Sequence, residues 1–181
     1  QSTNTIQFTP LFNSEIRFQN PVWFGDAPGF TNRFVVLELR GKAWLIERTS
    51  AGDKKNLLFD LGNELKVGGG SGLLGMAFHP KFFENRKYFL NYQIETHGQI
   101  STLLVERQFT PDFRNDSGES RVLLKIPAVT DSHTGGNIAF GPDGFLYLGM
   151  GDTGPQRDPQ GHAQNKLLLL GKMLRLDVDH A

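Results

Sequence analysis

The sequence predicts an all-β protein that forms part of a β-propeller. Short strand-like runs alternate with turn residues, one motif occurs twice, and equivalent positions recur at intervals typical of propeller blades. The 21 glycines and 15 phenylalanines suit a strand-and-turn protein. The strand-like runs cover 33–39, 43–48, 56–61, 73–78, 88–92, 103–109, 121–126, 137–140, 145–150 and 173–178.

Residue types support each of these elements. Val, Ile, Leu, Phe and Tyr dominate the runs, and Gly, Pro, Asn or Asp bound most of them. The Gly-Pro-Asp-Gly sequence at 141–144 predicts a tight turn that joins two strands into a hairpin. Only 163–170 favours a helical turn or two, which Gly171 would end.

The repeat sets the predicted architecture. Ala-Phe-x-Pro ends at Pro80 and again at Pro142, an offset of 62 residues, and an apolar strand follows each copy. With 43–47 as an earlier copy of that strand, Leu45, Leu90 and Leu148 share one register. Propellers have four to eight blades, and 181 residues supply about three. We therefore expect residues 1–181 to form an incomplete ring whose remaining blades are absent; a β-sandwich with accidental similarity is the alternative.

Composition excludes several classes of function. Lys plus Arg and Asp plus Glu both number 19, so the net charge of zero disfavours a nucleic-acid partner. There is no cysteine, and no apolar run approaches the roughly 18 residues of a membrane helix. No signal peptide is recognisable, and the chain starts at Gln1. That start is expected if a leader has been removed or if the chain is a segment of a longer protein.

The stretch from Asp131 to Asp158 carries the candidate chemistry. His133 precedes the first strand of the predicted hairpin and Asp152-Thr153 follows the second, so these residues should be neighbours at one sheet edge. Gly135-Gly136 leaves room for a flat ligand beside the imidazole. Histidine at a ligand-facing rim is a natural general base. The alternative is that His133 caps a strand or bonds a loop carbonyl.

Asp152, Asp158 and His162 could also be interpreted as a metal site. Their spacing matches no calcium loop. We expect instead that the two aspartates organise the long loop through hydrogen bonds to its backbone. Gln156 and Arg157 are expected on the same rim as His133.

Five motifs in order resemble the glucose/sorbosone dehydrogenase family, the soluble PQQ-dependent sugar dehydrogenases that include aldose sugar dehydrogenases. They cover roughly residues 20–181. The motifs are Gly-Leu-Leu-Gly-Met-Ala-Phe-His-Pro at 72–80, His-x-Gly-Gly-x-Ile-Ala-Phe-Gly-Pro-Asp-Gly-x-Leu-Tyr at 133–147, Gly-Asp at 151–152, Asp-Pro-x-Gly at 158–161 with Ala-Gln-Asn at 163–165, and Leu-Gly-Lys-Met-Leu-Arg-Leu-Asp-Val-Asp at 170–179.

The resemblance implies a six-bladed propeller with PQQ and calcium as cofactors. It implies that His133 takes the proton from the anomeric hydroxyl of a sugar while a hydride passes to PQQ, and that Gly135 and Gly136 lie beside the cofactor. The residues that clamp PQQ in the family, and its calcium ligands, come from later blades. The resemblance therefore implies no metal ligand in this chain, and a fragment that is inactive alone.

The sequence departs from the family at positions that face the sugar. Ser132 stands where glucose-oxidising members can carry Asp, and Ser71 is the only side chain where a Gln or Glu often precedes the Gly-Leu-Leu-Gly motif. Thr153 follows Asp152 where some members place Gln. We expect Ser71, Ser132, Asp152 and Thr153 to contact the substrate, and the identity of the sugar stays open.

The resemblance also implies an external electron acceptor and a periplasmic or extracellular location. The absence of a long apolar run predicts no membrane span. A half-propeller exposes apolar sheet faces, so the fragment should self-associate. Two other functions stay open: a non-catalytic propeller that binds carbohydrate or protein, and a calcium-dependent lactone hydrolase.

Overall fold

The structure, a computed structural model, describes residues 5–180, which form three antiparallel sheets in chain order. The first sheet contains β1 (Pro21–Asp26), β2 (Arg33–Glu38), β3 (Lys42–Thr49) and β4 (Gly52–Asp60). The second contains β5 (Leu73–Phe78), β6 (Lys87–Thr96), β7 (Gln99–Phe109) and β8 (Asp116–Pro127). The third contains β9 (Ile138–Phe140), β10 (Leu146–Gly149) and β11 (Met173–Leu176). Strands that follow one another within a sheet are hydrogen-bonded neighbours.

The sheets are arranged as the blades of a propeller. The first strand of the second sheet, β5, contacts β1 of the first sheet and β9 of the third. Consecutive antiparallel sheets whose first strands lie side by side are the architecture of a β-propeller. The all-β class and the partial propeller are confirmed. No helix within residues 5–180 is long and apolar enough to span a membrane.

Two hydrophobic cores lie on opposite faces of the second sheet. Side chains of β6 alternate between them: Tyr88, Leu90 and Tyr92 pack toward the first sheet, and Phe89 packs toward the third. The first core also takes Val35, Leu37, Leu45 and Leu58 from the first sheet. The second core takes Ile138, Leu146 and Leu148 from the third sheet. The inner strands β5, β6 and β7 of the second blade are therefore covered on both faces, whereas the outer strand β8 is largely exposed.

A buried polar group joins three strands of the second sheet. Arg107 donates to Asp116 from Nε at 3.0 Å and from Nη2 at 2.8 Å, and the Tyr88 hydroxyl donates to the same carboxylate. Burial by itself would raise the pKa of Asp116, but the hydrogen bonds from Arg107 and Tyr88 hold that pKa below its ordinary value. Burial raises the pKa of Tyr88. The outer strand β8 is thereby fixed to β6 and β7.

Three elements differ from the sequence-based expectations. Strand β1 and the short helix α1 (Phe82–Asn85) were not predicted. The predicted helical segment 163–170 contains only the end of a 3-10 turn, His162–Gln164. The ammonium of Lys172 explains the turns that follow, because it donates to the carbonyls of His162, Ala163 and Leu170 at 2.9, 2.9 and 2.7 Å.

The repeat alignment is wrong by one strand in the first blade. Leu90 and Leu148 lie on the second strands of their sheets, whereas Leu45 lies on β3, the third strand of its sheet. All three are fully buried. The alignment failed because β1, which begins the first blade, lacks the Ala-Phe-x-Pro motif that marks the start of the other two.

Candidate active site

His133 and Asp152 meet at one end of the β9–β10 hairpin. The turn closes as predicted, with the Gly141 amide donating to the Phe145 carbonyl at 2.9 Å. The two strands therefore end together, and Nδ1 of His133 lies 2.8 Å from Oδ1 of Asp152. The expected neighbourhood of the imidazole and the Gly-Asp motif is confirmed.

The carboxylate defines the orientation of the imidazole. An ionised carboxylate only accepts hydrogen bonds, so Nδ1 carries a proton, and in the neutral ring Nε2 is the nitrogen with the lone pair. The amide of Gly154 donates to Asp152 at 3.1 Å. That bond, followed by the bond from His133, lowers the pKa of Asp152. The His133 side chain is 36% exposed and that of Asp152 only 15%. The imidazole is therefore the more exposed member of the pair, and the carboxylate that supports it is mostly buried.

The backbone around His133 is held tightly. The residue has a φ of +52°, and its carbonyl accepts the Thr153 amide at 3.1 Å. A Cβ on Gly151 would lie 2.0 Å from the same carbonyl. Glycine at 151 is therefore required for the two ends of the hairpin to approach each other.

Hydroxyl groups connect the segment before β9 with the segment after β10. Thr130 donates to the Thr153 carbonyl at 2.6 Å, and the Ser132 hydroxyl lies 2.9 Å from that of Thr130. Thr153 is buried, and its hydroxyl accepts the Val129 amide at 3.1 Å. Ser71 is also buried and donates to the Asp131 carbonyl at 3.2 Å.

These contacts distinguish the four side chains that were predicted to face a sugar. Ser71 and Thr153 are buried and hydrogen-bonded inside the protein, so neither side chain presents surface to a ligand. Ser132 is half-buried, and Asp152 is turned toward His133. A role in substrate binding stays a prediction for all four.

The two glycines beside His133 have different surroundings. Gly135 has a φ of +105°, and a Cβ there would lie 2.8 Å from the Gly149 carbonyl, so this position packs against β10. A Cβ on Gly136 would meet open space, and its carbonyl accepts the Asn91 amide at 2.6 Å. Free room for a flat ligand therefore lies at Gly136. Contact of either glycine with a cofactor stays a prediction.

Asp158 organises the loop that follows Asp152, as expected. Its two oxygens accept the amides of His162 and Ala163 at 2.8 and 3.0 Å, and the ring of His162 donates to the Asp152 carbonyl at 3.1 Å. Nε2 of Gln156 lies 3.5 Å from Nε2 of His133, so this side chain borders the exposed nitrogen. Among residues 5–180, no three histidine, aspartate or glutamate side chains are arranged to hold a metal ion.

Similar proteins include plant and animal proteins as well as a bacterial sugar dehydrogenase. The chain is 30% identical to the HIPL1 protein of Arabidopsis thaliana over 165 residues, which are 71% of this chain and 24% of that protein. It is 33% identical to the human Hedgehog-interacting protein, over 64% of this chain and 18% of that protein. It is 29% identical to quinoprotein glucose dehydrogenase B of Acinetobacter calcoaceticus, over 61% and 27%. The chain thus spans about a quarter of the length of these curated relatives.

Solved structures share the fold over nearly the whole chain. An oxidoreductase described as a glucose dehydrogenase, from Thermus thermophilus, is 28% identical, with a TM-score of 0.71 over 87% of this chain and 43% of that one. The PQQ-bound aldose sugar dehydrogenase of Streptomyces coelicolor is 23% identical, with a TM-score of 0.74 over 90% and 46%. The family model for glucose/sorbosone dehydrogenase matches residues 20–181. The chain therefore belongs to the glucose/sorbosone dehydrogenase family.

Proposed function

We propose that this chain is the N-terminal part of a PQQ-dependent sugar dehydrogenase. The proposed reaction oxidises the anomeric hydroxyl of an aldose to a lactone, with His133 as the general base. The observation that carries the proposal is the 2.8 Å contact between Nδ1 of His133 and Asp152, which leaves Nε2 as the possible proton acceptor on a side chain that is 36% exposed. Membership of the family supports the reaction class.

The proton step follows from the chemistry of this pair. Nε2 of His133 takes the hydroxyl proton of the sugar, and the ring then carries a positive charge. Asp152 stabilises that charge because its lowered pKa keeps it ionised. The carboxylate also prevents the ring from flipping, so the basic nitrogen stays directed at the substrate.

PQQ, when bound, would accept the two electrons of the hydride. The open space beside Gly136 suits a flat ring, and the exposed Arg157 is a cation on the adjoining loop. An anionic quinone needs further cationic partners. We propose that the later blades supply them, and the calcium ligands as well. This chain would then contribute the proton acceptor and one wall of the site.

We propose Ser132 and Gln156 as the side chains of this chain that border the sugar most closely. Gln156 is exposed and lies beside the imidazole, and Ser132 directly precedes His133 in the chain. The electron acceptor would be external and the location periplasmic or extracellular, as the family resemblance implies. The chain alone should be inactive, because the rest of the proposed site lies outside it.

A second candidate function is a non-catalytic propeller that binds protein or carbohydrate. The similarity to a protein named for its interaction with Hedgehog favours this alternative. The burial of Ser71 and Thr153 also favours it, because few side chains are then left to form hydrogen bonds with a sugar. The intact His133–Asp152 pair opposes it, since a binding surface has no need of an oriented base.

One assay separates the two functions. The full-length protein that contains this chain is loaded with PQQ and calcium, and reduction of a dye is followed across a panel of aldoses. His133→Asn should lower the rate at least about 100-fold. His97→Asn is the matched control, because His97 is exposed in a turn and has a φ of +50° against +52° for His133. No oxidation of any aldose, or an equal rate in both variants, would reject the dehydrogenase.

A further inference from the structure

The face of the second sheet that packs on the third sheet changes character along its length. On β6 the residues of this face are Phe89, Asn91 and Gln93. Thr102 lies opposite Gln93 on β7. Asn91 and Gln93 have no exposed surface, and Thr102 has 1%. The face is thus apolar beside β9 and β10 and polar beside the loop that carries His133.

Two of these polar side chains hold the backbone just after His133. The Thr102 hydroxyl donates to the Thr134 carbonyl at 3.1 Å, and the Asn91 amide donates to the Gly136 carbonyl at 2.6 Å. The two bonds reach carbonyls on alternate residues of the loop, so together they fix both the position and the direction of this backbone segment relative to the second sheet.

The polar side chains of this sheet face also hold the glycine-rich loop at 68–72, which precedes β5. Oε1 of Gln93 accepts the Gly72 amide at 3.0 Å, and its Nε2 contacts the Thr102 hydroxyl at 3.4 Å. The Thr134 hydroxyl donates to the Gly70 carbonyl at 3.2 Å, and the Gly70 amide donates to the Asp131 carbonyl at 2.7 Å. The His133 loop is therefore bound on both sides of the catalytic position.

Asn91 makes its contact at a cost. Its Oδ1 is buried and accepts no hydrogen bond from any residue within 5–180, and a buried unpaired acceptor is unfavourable. Leucine has the same branched shape and the same number of side-chain heavy atoms, and it would avoid that penalty. The partner of Asn91 on β5 is Gly75, where a Cβ would lie 3.0 Å from the Gly136 carbonyl. Glycine at this point lets the next blade approach closely enough for the amide of Asn91 to reach it.

We propose that Asn91, assisted by Thr102, is a positioning residue for His133. The second blade holds the loop of the third blade so that the imidazole meets Asp152 with Nδ1 protonated. The placement of His133 does not depend on which reaction the protein performs. The effect of this placement on catalysis rests on the proposed dehydrogenase function.

The test compares Asn91→Leu with Ile126→Val, a change on the same sheet face, opposite Thr102, that removes no hydrogen-bonding group. Hydrogen exchange is measured by mass spectrometry on the protein without added cofactor, and the tautomer of His133 is measured by ¹⁵N NMR of labelled histidine. In Asn91→Leu, the Thr153 amide, which bonds the His133 carbonyl, should exchange at least about 10-fold faster. The His133 ring should change from the Nδ1–H form to a mixture of tautomers. Exchange in β6 and β7 should stay unchanged, and Ile126→Val should alter neither readout.

Thr102→Val is the second variant, since it removes one donor at constant shape. It should produce the same two changes to a smaller degree. Unaltered exchange at Thr153 and an unaltered tautomer in folded variants would overturn the proposal. Unfolding of both variants would also overturn it, because the polar group would then serve the fold as a whole. Failure of the wild-type full-length protein to oxidise sugars would reject the dehydrogenase and leave this result intact.

Discussion

At the scale of single residues, Asp152 is the group on which the behaviour of His133 depends. It fixes the ring by one hydrogen bond and is fixed in turn by the Gly154 amide. Both bonds favour the ionised carboxylate and lower its pKa. A depressed pKa in the folded state adds stability above the unfolded value of about 3.9. That contribution is lost as the pH falls through the folded value.

Replacing Asp152 with Asn should therefore have a pH-dependent effect on stability. Asn can accept the same two hydrogen bonds but carries no charge, so the wild type should be the more stable protein from about pH 5 to 7. The difference in the free energy of unfolding should shrink below about pH 4, where the carboxylate becomes protonated. Urea unfolding at a series of pH values measures it. A difference that stays constant down to about pH 3 would contradict the proposed charge interaction.

The sequence predicts the central pair of the site but not its supporting residues. His133 and Asp152 were recognised because a tight turn makes the two ends of a hairpin meet. Asn91 had one visible signal, an amide within an apolar strand. Its contact with Gly136 depends on how two blades pack, and local sequence does not contain that information. The burial of Ser71 and Thr153 was hidden for the same reason.

At the scale of elements, the β9–β10 hairpin brings the site together, and Gly151 is its most crowded position. A methyl group there would collide with the His133 carbonyl. Gly151→Ala should lower the free energy of unfolding by about 2 kcal/mol, as overpacking of a close contact does. Gly136→Ala is the matched control, since its Cβ would enter open space. Thermal unfolding compares the two, and equal stability of both variants would contradict the close approach.

The second blade depends on the group formed by Tyr88, Arg107 and Asp116. The side chains of Arg107 and Asp116 are 11% and 9% exposed. Asp116→Asn should lower the free energy of unfolding by about 3 kcal/mol, because it leaves Arg107 buried without a countercharge. Asp112→Asn, in the exposed turn before β8, is the control. Chemical denaturation measures both, and a loss below about 1 kcal/mol for Asp116→Asn would contradict the importance of this pair.

Element boundaries were predictable where strands are apolar and turns are marked. The apolar runs of β6, β7 and β10 and the turn at 141–144 match the structure. Strand β1 was missed because its Pro21-Val-Trp-Phe-Gly-Asp26 sequence combines Pro, Gly and Asp with few aliphatic residues. The helical expectation for 163–170 failed because Lys172 and Asp158 capture the backbone groups that a helix would need.

At the scale of the whole molecule, the outer face of the first sheet is only partly covered. The Phe12 ring packs against Phe24 and Phe34 on this face, and Val36 is buried there. Phe24 is 48% exposed and Leu57 is 44% exposed on this face, and Met173 on the edge strand β11 is 71% exposed. Apolar patches of this kind mark surfaces that associate. In a complete ring, a neighbouring blade would cover them.

We therefore expect the 181-residue chain to self-associate as its concentration rises. Leu57→Ser should weaken this association, because it places a polar group on the exposed part of this sheet face. Phe83→Ser, which removes an aromatic side chain that is 62% exposed on helix α1, should change it less. Light scattering across a concentration series measures both. A dispersed monomer at every concentration would contradict the incomplete ring.

We propose that His133, held by Asp152, accepts the proton during sugar oxidation. The most direct measurement is the single-turnover rate at which an aldose reduces PQQ in the loaded full-length protein, with sugar binding measured separately. We predict that His133→Asn slows this rate at least about 100-fold and leaves sugar affinity within a few fold. A rate equal to that of the wild type would contradict the claim.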